Sequence, residues 1–143
     1  TERGVAGLTA NRKDIARIIW KTNSPTWNFD EATFNRAAAS FDNPDYVAIV
    51  IHNYRWRLSL AAGDPQYDEL EKRLATQPVI AIPSITMDGD ADGVVPATDG
   101  KSYAGKFSGP RTHRIIKGPG HNLPQEAPHE FSDAVLTLLR TAR

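Results

Sequence analysis

Two short stretches of this chain hold residue types that can do chemistry together. One is Asp88-Gly89-Asp90-Ala91-Asp92, and the other is Gly118-Pro119-Gly120-His121. A carboxylate bonded to one imidazole nitrogen fixes the tautomer of the ring and stabilises the imidazolium. The second nitrogen is then free to act as a base. Such a pair can draw a proton from a water or a hydroxyl. Asp88, Asp90 and Asp92 compete for the acid's place, since any of them could instead cap the loop or the helix after it. Their alternation also suits the start of a calcium loop. Such a loop needs further ligands, including a late glutamate, and Gly93-Val94-Val95-Pro96 does not supply them. The plain alternative for His121 is a structural histidine.

The elements around these stretches decide whether the two can meet. Residues 78–87 form a β-branched apolar run (Val79, Ile80, Ile82, Ile85) that suits a buried strand. Pro83 cannot donate to a ladder, so the strand proper is expected over residues 84–87, with residues 79–82 leading in. A short helix is expected over residues 98–107 and a second strand over 114–117. An amphipathic helix over 126–140 would carry Phe131, Val135, Leu138 and Leu139 on one face. Strand, acidic loop, helix, strand, histidine loop and helix make an α/β pattern with a parallel sheet. Sites in open α/β sheets form at the carboxyl ends of strands, where both stretches fall.

The first half reads as helix. Ile15, Ile18, Ile19 and Trp20 follow a helical spacing after polar residues 11–14, and Ser24-Pro25-Thr26-Trp27 breaks it. Asp30 caps a helix carrying Phe34, Ala37 and Ala38. Phe41-Asp42-Asn43-Pro44 is a second stop and start, with Pro44 at the first helical position. A longer helix is expected over residues 45–62, holding Val47, Ile49, Val50, Ile51, Tyr54 and Leu58, although residues 47–51 alone would also suit a strand. Gly63-Asp64-Pro65 ends it, and residues 66–75 form a short charged helix.

Composition narrows the function classes. At 143 residues, 40% apolar and 24% charged, the chain fits one ordinary domain or part of a larger one. Lys plus Arg is 17 and Asp plus Glu is 17, which argues against a basic nucleic-acid surface and an acidic tail. The lack of cysteine removes disulfides, thiolate metal sites and cysteine nucleophiles, and fits a reducing, cytoplasmic setting. No apolar run approaches the roughly 18 residues that span a membrane. The single methionine is Met87 and the chain opens Thr1-Glu2-Arg3, so either a leader was removed or the chain is a piece of something longer.

Ile85-Thr86-Met87-Asp88-Gly89-Asp90-Ala91-Asp92-Gly93-Val94-Val95-Pro96 resembles the acid-bearing segment of α/β-hydrolases, where a strand ends in a His-Gly-x-x-Asp-like motif with Val-Pro beyond. Gly118-Pro119-Gly120-His121-Asn122-Leu123-Pro124-Gln125-Glu126-Ala127-Pro128 resembles that family's histidine segment, Gly-x-Gly-His followed by Gln-Glu-x-Pro. That ending is shared with the branch holding epoxide hydrolases and haloalkane or haloacetate dehalogenases. The resemblance implies that Asp92 is the triad acid and His121 the base, while Asp88 stands where the motif usually has histidine. Ile51-His52-Asn53-Tyr54-Arg55 resembles the Asn-x-Tyr-Arg of epoxide hydrolase caps. This implies a helical cap over residues 1–65, the C-terminal part of an α/β-hydrolase core over 66–143, and a hydrogen bond from Tyr54 to the epoxide oxygen. A phenol suits that task, because the opening ring develops alkoxide charge. A packed helical tyrosine is the plain alternative. Dehalogenases of the same branch hold halide with a cap Tyr, Trp or His, which keeps Trp20, Trp27 and His52 in view beside simple packing roles.

The family's nucleophile sits on a sharp strand-to-helix turn ahead of the cap. Nothing here resembles Gly-x-Ser-x-Gly or Gly-x-Asp-Trp-Gly, and Ser84 and Ser108-Gly109 lack that context. The resemblance therefore implies a soluble epoxide hydrolase-like enzyme whose aspartate nucleophile lies upstream of this chain, with the chain inactive alone. A dehalogenase or serine esterase on the same scaffold is the alternative, as is an inactive fragment packed against the missing N-terminal half. The resemblance implies no metal or organic cofactor. The partners implied are a small organic substrate and that N-terminal half, with no nucleic acid or membrane and a homodimer left open.

Overall fold

The computed structural model describes residues 1–141 as a mixed helix-and-strand chain in two compact units. Residues Thr1–Ile19 and Asn28–Ala75 make the first, and Trp20–Trp27 and Thr76–Arg143 the second. Among the described residues no helix is long and apolar enough to cross a membrane.

The first unit is helical: α1 (Glu2–Ala10), α2 (Arg12–Asn23, whose last turn belongs to the second unit), α3 (Glu31–Ala38), α4 (Tyr46–Arg57) and α5 (Asp68–Ala75). Capping sets several of these boundaries. Thr1 accepts the Gly4 N–H at 3.2 Å and starts α1, a helix the apolar spacing does not reveal. Asp30 accepts the Thr33 N–H at 2.7 Å, as its position suggests, and hydrogen bonding from the Thr33 side chain and then from its backbone N–H holds the carboxyl below the usual pKa. Pro44 is not the first helical residue; Asn43 Oδ1 takes the Asp45 N–H at 2.8 Å and the helix begins at Tyr46. Residues 47–51 are helix rather than strand. That helix stops at Arg57, short of residue 62, because Ser59 adopts a left-handed φ of 58° that breaks the helical ladder. Phe34 is wholly buried, and the Arg17 guanidinium lies 4.0 Å over its ring. Arg17 also forks onto Glu31 at 2.6 and 2.8 Å, which joins α2 to α3.

The second unit is built on two parallel strands, β1 (Ser84–Gly89) and β2 (Arg111–Ile116), followed by α6 (Leu123–Glu126) and α7 (Pro128–Thr141). The strand proper does begin after Pro83, and Ile80 makes only an isolated bridge to Phe107. Pairing carries β1 on to Gly89 and starts β2 at Arg111, each longer than its apolar run, because ladder bonds accept polar side chains on either face. The connection folds into a 3-10 turn at Lys101–Lys106 rather than a full helix. α7 packs against β1, with Ala134 buried.

Truncation of the one large side chain that is fully buried among the described residues tests the first unit's packing. Phe34→Ala is expected to cost about 3–5 kcal/mol of unfolding free energy in a denaturant titration, and Phe34→Leu well under half of that.

Candidate active site

Register sets the site. β1 and β2 pair from Ser84↔Arg111 to Gly89↔Ile116, so both strands end level and the loops after them emerge side by side. The pairing continues past the strands: Asp90 N–H donates to Ile116 O at 3.0 Å and Ala91 N–H to Pro119 O at 3.1 Å. The Asp90 carboxylate accepts the Gly118 N–H at 2.6 Å.

The three competing aspartates part ways. Asp88 Oδ2 accepts the Thr98 N–H at 3.0 Å and lies 3.8 Å from His113 Nε2. Asp90 serves Gly118. Of the three, only Asp92 meets the imidazole of His121, with Oδ2 2.9 Å from Nδ1. Its other oxygen accepts the N–H groups of Val94 and Val95 at 2.7 and 3.0 Å, which aims Oδ2 at the ring. Among the described residues no group of three or more His, Asp and Glu converges on a metal position.

Asp92 is mostly buried and His121 half-exposed. Burial pushes the Asp92 carboxyl pKa up. The Val95 N–H, the His121 hydrogen bond, the Val94 N–H and the imidazolium charge outweigh that and hold it below the ordinary carboxylate value. Asp92 is therefore an anion at neutral pH. It favours the tautomer that carries its proton on Nδ1 and leaves the Nε2 lone pair available. No hydrogen bond reaches Nε2 among the described residues. A cavity of about 90 Å³, lined by Gly89, Asp92, His121 and Leu123, adjoins the pair. At roughly 30 Å³ per water it has room for about three waters.

A strut that sequence reading missed sits beneath both loops. Ser24-Pro25-Thr26-Trp27 was expected to break the helix that holds Trp20, and within the second unit residues Trp20–Trp27 bind the acid loop and the histidine loop together. Asn23 O accepts the N–H groups of both Gly93, at 2.9 Å, and His121, at 3.2 Å. Gly93 and Gly120 are pressed so closely on this strut that a Cβ at either would collide, with Thr22 O in one case and Ser24 Cα in the other. Glu126, from the Gln-Glu-x-Pro motif, accepts the N–H groups of Gly120 and Asn122 at 2.8 and 3.0 Å. Only the motif hinted at Glu126. Asn23 acts through its backbone, so no side-chain pattern could have revealed it.

The remaining candidates lie elsewhere. Trp20 and Trp27 stack at 5.1 Å within the second unit. Tyr54 is exposed on α4 in the first unit, with the Arg57 guanidinium 5.9 Å from its ring. His52 lines a separate open cleft of about 790 Å³ in the first unit, with Trp56 and Tyr67. Ser84 and Ser108 sit at the amino ends of the strands, away from the carboxyl-end loops.

The chain is 46% identical, with a TM-score of 0.91, to the crystal structure of a "putative epoxide hydrolase" from Klebsiella pneumoniae subsp. pneumoniae MGH 78578. The match covers 98% of this chain but 46% of the other, so the chain spans less than half the length of that protein. No family model matches the chain, and no curated protein matches it.

The Asp92 carboxylate has a testable stability signature. Its folded pKa is depressed, so its contribution is present above the unfolded value of roughly 3.9 and fades as pH falls through the lower folded value. Denaturant titrations of the native chain and Asp92→Asn should differ at neutral pH, and the gap should close as pH falls through the carboxylate range. A gap that widens on acidification would contradict this.

Proposed function

We propose that this chain supplies the acid and base of an epoxide hydrolase and that the nucleophile comes from sequence upstream of it. The observation that carries the reading is the Asp92–His121 pair, held at 2.9 Å at the carboxyl ends of two parallel strands with Nε2 uncommitted. The likeness to a protein described as a "putative epoxide hydrolase" supports the substrate class.

In this mechanism an upstream aspartate attacks a ring carbon of the epoxide. The C–O bond opens and an enzyme ester forms. Tyr54, on a helical cap, donates a hydrogen bond to the oxygen as it gains alkoxide charge. His121 Nε2 then takes a proton from water, which attacks the ester carbonyl; the addition intermediate collapses, the water's second proton goes to the departing oxygen, the imidazolium proton goes to the alkoxide left by ring opening, and the diol leaves with the aspartate and the neutral imidazole regenerated. Asp92 stabilises the imidazolium formed in that step without taking its proton. The account needs no metal or organic cofactor. On this reading residues 1–65 belong to the cap, residues 66–143 to the core, and the isolated chain is inactive.

The exposed surface supports a covering N-terminal half. Ile82, Ile115 and Leu139 are 70%, 53% and 61% exposed, and Phe131 and Val135 on the apolar face of α7 are exposed as well. Soluble domains seldom leave such a face open, and a two-stranded sheet is marginal without further strands.

Replacing His121 separates the chemistries. In the protein with its upstream sequence, His121→Gln should lower turnover by at least about 100-fold and let the ester accumulate on an aspartate, seen by peptide mass spectrometry. A label on serine would point to an esterase and sink the reading. Tyr54→Phe should slow ester formation by about 100-fold while leaving ester breakdown nearly unchanged. Full epoxide turnover by the 143-residue chain alone, lost with His121→Gln, would refute an upstream nucleophile.

A further inference from the structure

Ser24 is the one polar side chain among the described residues that is fully buried. All the bonds of its Oγ run to the histidine loop: the N–H of His121 at 3.1 Å, the N–H of Asn122 at 3.3 Å and Asn122 Nδ2 at 3.1 Å. A hydroxyl that merely closed its own helix would bond to a carbonyl three or four residues back. This oxygen reaches residues 97 and 98 positions away instead. It does not touch the imidazole, so it is no nucleophile. It acts on the main chain that carries the ring.

We propose that Ser24 is a positioning residue for His121, holding the backbone of residues 121–122 so that Nδ1 stays on Asp92 and Nε2 stays aligned for the water. The catalytic part of this proposal rests on the epoxide hydrolase reading above. Three supports converge on the loop. Asn23 O and Ser24 Oγ share the His121 N–H, and Glu126 and Ser24 Oγ share the Asn122 N–H. Gly120 lies against Ser24 Cα, so the loop cannot settle closer to replace a lost bond. When the hydroxyl is removed, the His121 N–H keeps only the longer bond to Asn23 O at 3.2 Å, the Asn122 N–H keeps Glu126, and Asn122 Nδ2 loses its acceptor, so the segment that carries the ring gains freedom to shift. A misplacement of about 1 Å in a catalytic group can cost on the order of 100-fold in rate. Only the step that uses His121 should feel it, because ester formation relies on the nucleophile and on Tyr54.

The test is Ser24→Ala in the protein with its upstream sequence, read in two ways. Rapid-mixing kinetics with an aryl epoxide should show ester formation at the native rate and ester hydrolysis slowed by about 10–100-fold. Nitrogen NMR of the imidazole should show a weakened Nδ1–H bond to Asp92. Should the alanine variant fold poorly, Ser24→Cys keeps the bulk with a weaker acceptor and is read the same way. Equal slowing of both steps, no slowing, or an unchanged imidazole signal would overturn the proposal. If the native protein forms no ester but Ser24→Ala still shifts the imidazole signal, positioning stands and the epoxide hydrolase reading fails.

Discussion

One carbonyl ties the site together. Asn23 O takes the N–H of Gly93, next to Asp92, and the N–H of His121. The acid and the base belong to different loops and different strands, and each loop is free to move unless something fixes their spacing. Level strand ends bring the loops near each other, but strand pairing alone leaves several ångströms of play beyond the last ladder bond. The Asn23 carbonyl, the Ala91–Pro119 bond and the Asp90–Gly118 bond remove that play. A 2.9 Å contact between Asp92 and His121 then follows.

The division of labour among the carboxylates follows from the same frame. Four acids crowd the two loops, and each takes its own backbone donors. Asp88 takes Thr98, Asp90 takes Gly118, Glu126 takes Gly120 and Asn122, and Asp92 takes Val94 and Val95. Backbone N–H groups satisfy these anions without bringing in cations that would compete for the imidazole. Only Asp92 keeps an oxygen for the ring, and its depressed pKa keeps that oxygen charged at neutral pH.

Much of this was legible in the sequence. Pro83 correctly moved the strand start to Ser84, because a missing N–H is a local fact. Asp30 read correctly as a cap for the same reason. The meeting of Asp92 with His121 followed from strand-end logic together with the motif resemblance, while spacing alone left three aspartates open. Features that depend on long-range packing escaped. Ser24 looked like punctuation before Pro25, because nothing local marks a hydroxyl that bonds 97 residues away. The early stop of α4 hangs on the left-handed turn at Ser59, a residue with no strong turn preference. Helix α1 was missed because Gly4 and Gly7 hide its periodicity and Thr1 alone signals it.

The central claim is that the Asp92–His121 pair directs water onto an enzyme ester rather than onto the epoxide itself. A single turnover in water enriched with oxygen-18, with the protein and its upstream sequence in excess over the epoxide, tests that most directly. The account predicts a first-turnover diol without the heavy isotope and one heavy oxygen in the upstream aspartate. Heavy oxygen in the first diol, with none in the protein, would contradict it.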